Sequence, residues 1–384
     1  MRRIVASLAV VGALACAPPA GAQDLVVGVS ALMTGPSAGT YAPVVEAMRL
    51  YFDNVNKAGG INGKQVKLLI SDNQADASKA AADAKKFLLQ DNALLLLNIS
   101  LSSTYAPMVA EAKRAETPLL FAGSVCPREV YPKADAFLYC TTAFAAQYDS
   151  RFALDFIRKT AKEPVKLGLA AMAIPISRAE IDFAEQQLPS LGFTAAGKEV
   201  IPPPTANYTP HATKLKEADA NWVYSWAPWG MQVKTLEALR TLGWQGSYIA
   251  YAHLNAEDEL VRLKDDKLFV FGTNAFFQDD LPIHQAIKAR ATGASYPVTQ
   301  LGEGWVAAMA LEAILKQAGA NPTRASVSKA MNALKVDMQG LRGAPIAWTD
   351  DNHFRTSVAY RVYRWDSAQG KVIRVTDWTT FDVK

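Results

Sequence analysis

The sequence has little histidine and less cysteine: four of one and three of the other in 384 residues. His211, His253, His284 and His353 stand far apart, without the short spacings that bring imidazoles and thiolates onto one zinc ion, so no metal site is expected. No G-x-x-x-x-G-K-S/T loop and no H-E-x-x-H helix occurs, and the chain is not expected to be an enzyme or to carry a cofactor. Charge of one sign is missing too. The formal net charge is +4, Arg2 and Arg3 supply two of those charges, and the remaining +4 − 2 = +2 is no footprint for nucleic acid. After the first residues no apolar run reaches the ~18 uninterrupted positions of a membrane span.

What is present begins with a leader. Arg2 and Arg3 precede an apolar run from Ile4 to Ala15 and a small-residue stretch ending Ala20-Gly21-Ala22. This reads as a secretory signal peptide over residues 1–22, cleaved after Ala22, and places the mature chain in the periplasm. Cys16 offers a second reading, acylation of that cysteine, but Ala13 stands where a lipoprotein signal has leucine. With Cys16 removed, Cys126 and Cys140 remain as an even pair in an oxidising compartment, either bonded to each other or buried as two thiols.

From Asp24 onward, short β-rich runs alternate with amphipathic stretches of helical length. Strands are expected at Leu25 to Val29, Val66 to Ile70, Leu94 to Ile99 and Pro118 to Ala122, with helices between them. A second series runs through strands Lys166 to Ala173, Ala195 to Ile201, Trp222 to Trp226, Tyr248 to Ala250 and Leu268 to Phe271. Helices Val298 to Gln317 and Arg324 to Leu334 follow, then two antiparallel-looking strands, Val358 to Arg364 and Val372 to Trp378. Strand–helix–strand repetition builds parallel, doubly wound sheets. The expected fold is therefore α/β with two such lobes, 24–143 plus 274–346 and 147–271 plus 347–384, joined by a three-segment hinge. In open α/β sheets ligands sit beyond the carboxyl ends of the strands, so chemistry belongs to the strand-to-helix loops.

Three loops of the first lobe carry polar groups. Gly35 to Tyr41 ends the first strand with flexible backbone and an aromatic ring, Tyr41. Ser102 and Ser103 bring hydroxyls and free amides to the start of a helix, where the dipole favours an anion by roughly 0.3 to 2 kcal/mol; N-capping is the plainer role for the same residues. Gly123-Ser124-Val125-Cys126 offers another hydroxyl opposite.

Together with Asn56-Lys57-Ala58-Gly59-Gly60-Ile61-Asn62-Gly63 and Ser71-Asp72-Asn73, these loops make the chain resemble the substrate-binding proteins of ABC transporters for branched-chain amino acids and related hydrophobic carboxylates. The resemblance runs from Asp24 to the C-terminal region and implies a type I periplasmic binding fold, a small-molecule ligand and a membrane permease as partner. It implies that Ser102, Ser103, Ser124 and Cys126 hold a ligand carboxylate. The family also has a Tyr-Gly after the first strand of its second lobe and an acid after the fourth, which pairs with an amino group. This chain instead reads Ala173-Ile174-Pro175-Ile176-Ser177-Arg178 and Ala250-Tyr251-Ala252-His253-Leu254, with no carboxylate until Glu257.

An ammonium buried without a counter-charge costs several kcal/mol, so an α-amino acid is expected to bind poorly. Aromatic residues crowd the same loops: Trp226 and Trp229, Tyr251, and Phe276 past the hinge. Packing the lobe core is the bland role for these rings, and the bulky body of a carboxylate is the functional one. Arg178 and His253 are candidate partners for a carboxylate and a ring hydroxyl. The expected protein is a monomeric importer receptor that closes on its ligand by hinge motion; a branched-chain amino-acid or amide receptor, and a sensor that reports ligand to a signalling partner, are the alternatives.

Overall fold

The computed structural model describes residues 24–142, 148–252 and 256–383. The leader, the first expected crossing and His253 lie outside those residues. The first lobe opens with β1 (Leu25–Ala31), α1 (Ala38–Lys57), β2 (Val66–Asp72), α2 (Ala77–Leu89), β3 (Leu95–Ile99), α3 (Tyr105–Arg114), β4 (Leu119–Phe121) and a short β5 (Leu138–Cys140). All five strands are parallel, in the order β2-β1-β3-β4-β5.

The second lobe follows with α4 (Tyr148–Thr160), β6 (Lys166–Met172), α5 (Pro175–Gln187), β7 (Thr194–Ile201), α6 (Thr209–Glu217), β8 (Trp222–Trp226), α7 (Trp229–Thr241), β9 (Ser247–Tyr251), α8 (Ala256–Leu263) and β10 (Leu268–Gly272). The chain continues through α9 (Pro282–Arg290), α10 (Gly302–Gln317), α11 (Arg324–Asn332), β11 (Lys335–Val336) and β12 (Ile346–Ala347), then β13 (Ser357–Asp366), β14 (Lys371–Arg374) and β15 (Thr379–Asp382). The second sheet runs β14-β13-β10-β9-β8-β6-β7, with β15 also on β13. Its antiparallel part begins where β13 meets β10. The strand expected at Val372 to Trp378 ends at Arg374 as β14, and after a bend a further strand, β15, follows from Thr379.

Two helices start earlier than their apolar periodicity implies. Pro175 occupies the first turn of α5, where its missing N–H costs nothing. Trp229 is the first residue of α7 behind the cap residue Pro228. Those shifts decide which side chains face the cleft.

Helices α1 and α10 pack closely in the first lobe. A Cβ on Gly304 would lie 2.3 Å from the Val44 carbonyl oxygen and 2.5 Å from the Ala47 Cβ, so only glycine lets the helices meet. One apolar cluster draws on both sheets, joining Tyr105, Phe121 and Val125 to Trp226, Tyr251, Phe271 and Tyr360. The lobes therefore meet through one shared apolar cluster.

Where the chain passes between them near residue 274, Asn274 bridges to Arg342. There the buried Arg342 donates from Nη2 to both carboxylate oxygens of Glu303, at 2.9 and 2.7 Å, and Asn274 Nδ2 donates to Glu303 at 2.6 Å.

Candidate functional site

Strand order locates the site. In the first sheet the order reverses between β1 and β3, and in the second between β6 and β8. Loops diverge at such points and leave a crevice beyond the strand ends. An inner pocket lies where the two crevices face each other, lined by Tyr41, Leu101, Ser102, Tyr105 and Val125 from one side and Ile174, Ile176, Ser177, Trp226, Ala227 and Pro228 from the other. Its volume is about 10 Å³, room for one water. Leu101, Ile174 and Pro228 also line the entrance to an outer cleft of about 1170 Å³.

The polar atoms of the inner pocket are hydroxyls. Ser102 Oγ and Ser177 Oγ are buried and have no hydrogen-bond partner in the protein. They come from opposite lobes: Ser102 from the turn that leads into α3, Ser177 from the first turn of α5. Helix starts present unpaired amides and a positive dipole end, so this pair of hydroxyls sits in a field that favours an anion. Burial pushes the Tyr41 and Tyr105 phenols well above their ordinary range, so both stay protonated. Tyr105 spends its proton on the Val125 carbonyl at 2.7 Å and so fixes the fourth loop. No acidic or basic side chain lines the inner pocket among the described residues.

Several expected contacts are placed elsewhere. Ser124 is fully buried; its Oγ accepts from the Ser100 amide at 2.8 Å and donates to the Asn98 carbonyl at 2.9 Å, so its hydroxyl holds β3 and β4 together instead of facing a ligand. Cys126 is bonded to Cys140 and has no thiol to offer. Ser103 lines the outer cleft and donates to the Ala75 carbonyl at 3.2 Å.

Arg178 is exposed and lines neither cavity. Because α5 begins at Pro175, the preceding residue, Ser177, turns inward and Arg178 is rotated about 100° away. Sequence reading missed Ser177, Ile174 and Ile176 for the same reason; Pro175 was the signal.

The aromatic residues divide. Trp226 lines the inner pocket, and its Nε1 donates to Asp149 Oδ2 at 3.0 Å. Trp229 lines the outer cleft, its ring nitrogen buried and unpaired. Tyr251 lies behind the pocket wall, its ring stacked 6.1 Å from Trp226. Phe276 stacks on Tyr363 at 4.0 Å and 7° and packs the second lobe, because the chain turns there toward the first lobe. His253 lies outside the described residues.

The first acid after β9, Glu257, does not reach the pocket. Its carboxylate accepts the amides of Phe277 and Gln278, both at 2.8 Å, beside residues 272–277. Burial pushes it up to about 7 against those hydrogen bonds.

The loop Gly35-Pro36-Ser37-Ala38-Gly39 also spells the G-x-S-x-G of a hydrolase elbow. Ser37 caps α1 at the cleft, while the described histidines are engaged elsewhere: His211 on Glu199, His284 against Phe277 and His353 on the Leu138 carbonyl. No described histidine stands by as its base.

Known proteins share this architecture. The chain matches 24% of residues over 314 positions, 80% of its length and 82% of the relative's, with the Leu/Ile/Val-binding protein homolog 1 of Brucella abortus (strain 2308). A branched-chain amino acid ABC transporter protein from Thermus thermophilus, solved with bound valine, superposes with a TM-score of 0.79 at 16% identity, covering 94% of this chain and 97% of that one. A solute-binding protein of an ABC transporter from Rhodopseudomonas palustris BisB5, in complex with 3,4-dihydroxybenzoic acid, does so with 0.79 at 15% identity and the same coverage. Residues 24–371 match the family model described as periplasmic binding protein, and with the two facing α/β lobes and the crevice between them, this chain belongs to that family.

Proposed function

We propose that this protein is the extracytoplasmic solute-binding component of an ABC importer and that it closes on a small carboxylate with an aromatic or bulky apolar body. The observation that carries the reading is the inner pocket: two unpartnered hydroxyls from opposite lobes, two helix starts and an aromatic wall, with no acid among its lining residues. A carboxylate placed between Ser102 and Ser177 satisfies both hydroxyls only when the lobes are shut, which makes closure depend on ligand. With room for only a water, the inner pocket widens to take the carboxyl group and leaves no space for more, so the ligand's body extends past Leu101, Ile174 and Pro228 toward Trp229 in the outer cleft. Burying a phenyl-sized face there contributes a few kcal/mol at about 25 cal/mol per Å².

The Brucella relative's name speaks for leucine, isoleucine or valine; the inner pocket's lack of a counter-charge for an ammonium speaks against them, since the acids of the outer cleft, Glu237 and Glu259, are paired with Arg262. The crossing segments near 143–147, 271–274 and 345–349 serve as the hinge between lobes 24–143 plus 274–346 and 147–271 plus 347–384, and the closed monomer docks on its permease. Titrating the mature protein with leucine, benzoates, cinnamates and a fatty acid, read by tryptophan fluorescence, tests the assignment. Saturable binding of an aromatic acid is expected; tight leucine binding with silence toward every aromatic acid rejects it.

A further inference from the structure

Behind Trp226 lies a buried carboxyl pair that makes no contact with the pocket itself. Asp149 of α4 and Glu180 of α5 are both fully shut off from solvent. Ser150 joins them: its amide donates to Glu180 Oε1 at 2.8 Å, its hydroxyl bonds the same oxygen, and that hydroxyl lies 3.2 Å from the Tyr224 hydroxyl. The two acids are wired differently. Both Asp149 oxygens accept, Oδ1 from the Tyr360 hydroxyl and Oδ2 from Trp226 Nε1, an arrangement suited to a carboxylate. Glu180 Oε2 is buried without a partner. Ionising Glu180 would leave a charged oxygen bare, so this acid is built to stay neutral.

We propose that Asp149 and Glu180 hold one proton between them, that the Asp149 carboxylate positions Trp226 in the pocket wall, and that a ligand carboxylate arriving on the other side of that wall draws a second proton onto the pair. The last clause rests on the carboxylate reading of the pocket; the first two do not.

The pair is placed to link hinge and pocket. Helix α4 is the first described element of the second lobe, α5 carries Ser177 three residues before Glu180, and β8 ends in Trp226. Around the pair, among the described residues, stand Tyr224 on β8, Tyr251 on β9, Tyr360 on β13 and the cation Arg355, whose Nη2 donates to the Thr141 carbonyl at 2.8 Å. Burial lifts Asp149 to about 6 against the pull of Tyr360, Trp226 and Arg355, and burial together with Asp149 lifts Glu180 well above the ordinary carboxyl range. A second negative charge, the ligand's, raises Asp149 further. Affinity is then greatest below the free-state value and falls as pH rises through the window between the free and bound values. Each pKa unit of coupling is worth about tenfold in affinity.

The test uses 3-phenylpropanoate as probe on the full mature protein. Its affinity is measured from pH 5.5 to 8, with proton uptake read by calorimetry in two buffers of different ionisation enthalpy. Wild type is expected to lose about tenfold in affinity across that range, with net proton uptake, and Asp149→Asn to flatten the profile, while Glu180→Gln keeps it. A flat wild-type profile without proton uptake overturns the ligand linkage. A second arm needs no ligand and no variant: tryptophan fluorescence of the free protein is expected to show a transition centred near pH 6, which Asp149→Asn abolishes and Glu180→Gln retains. If the free protein shows no transition, the division of one proton between a neutral Glu180 and a titrating Asp149 is rejected. A transition in a protein that binds no aromatic acid supports the pair and fails the carboxylate reading alone.

Discussion

Replacing Ser102 or Ser177 by alanine is expected to weaken ligand binding and stabilise the empty protein at once. Each hydroxyl is buried, on opposite sides of the inner pocket, with no partner in the protein. A hydrogen bond to a charged carboxylate is worth roughly 1.5–3 kcal/mol, so each substitution lowers affinity by about 10- to 150-fold. In the free protein the same change removes an unsatisfied buried hydroxyl, which relieves about 1 kcal/mol of a desolvation cost that ranges over roughly 1–3 kcal/mol. The assay is a pair of measurements on each variant: Kd for an aromatic acid by fluorescence, and unfolding free energy in urea without ligand.

Ser124→Ala is the contrast, because its hydroxyl bonds both the Ser100 amide and the Asn98 carbonyl. That variant should lose about 1–3 kcal/mol of stability. Finding that Ser102→Ala and Ser177→Ala behave like Ser124→Ala, less stable with Kd unchanged, would show that the hydroxyls serve the fold and refute the reasoning.

Three further outcomes follow from the packing and titration of the chain. Replacing Cys126 and Cys140 together by alanine opens a bridge spanning 14 residues and should cost about 3 kcal/mol in urea unfolding. Gly304→Ala forces a Cβ against the Val44 carbonyl and Ala47 and should destabilise by about 1–3 kcal/mol through separation of α1 and α10, detectable as a lower denaturation midpoint. Glu257 has a folded value near 7, above its ordinary 4.5. Its contribution to stability is therefore present below about 4.5 and lost as pH rises through 7, and Glu257→Gln should remove that part of the slope when unfolding is followed from pH 4 to 8.

Much of this was legible in the sequence, and the reasons are local. Alternating strand and helix patterns betrayed both sheets because parallel strands buried on two faces read as continuous apolar runs, as Leu119–Phe121 does. The loops of the site were legible because the fold puts ligands at strand ends. What those loops do with individual side chains was not. Ser102, Tyr41 and Trp226, expected from their loops, line the inner pocket, whereas Arg178 does not and Ser177 does, a difference that turns on where α5 begins. Ser124 looked like its neighbours in sequence, and only the three-dimensional course of β3 and β4 shows its hydroxyl spent on Ser100 and Asn98. Asp149 and Glu180 lie 31 positions apart on two helices, and no periodicity marks two surface-type residues that fold into the same dry space.

The central claim is that the pocket accepts a carboxylate and rejects the ammonium of an amino acid, and a matched pair of ligands tests it most directly. 3-Phenylpropanoate and L-phenylalanine share ring, chain and carboxylate and differ in one amino group. Calorimetric titration of the mature protein at pH 7 should show phenylpropanoate binding at least about 100-fold more tightly, the factor that corresponds to roughly 2.7 kcal/mol for an unpaired buried charge. Equal or tighter binding of L-phenylalanine would contradict the account and place an anionic partner for the ammonium within the cleft.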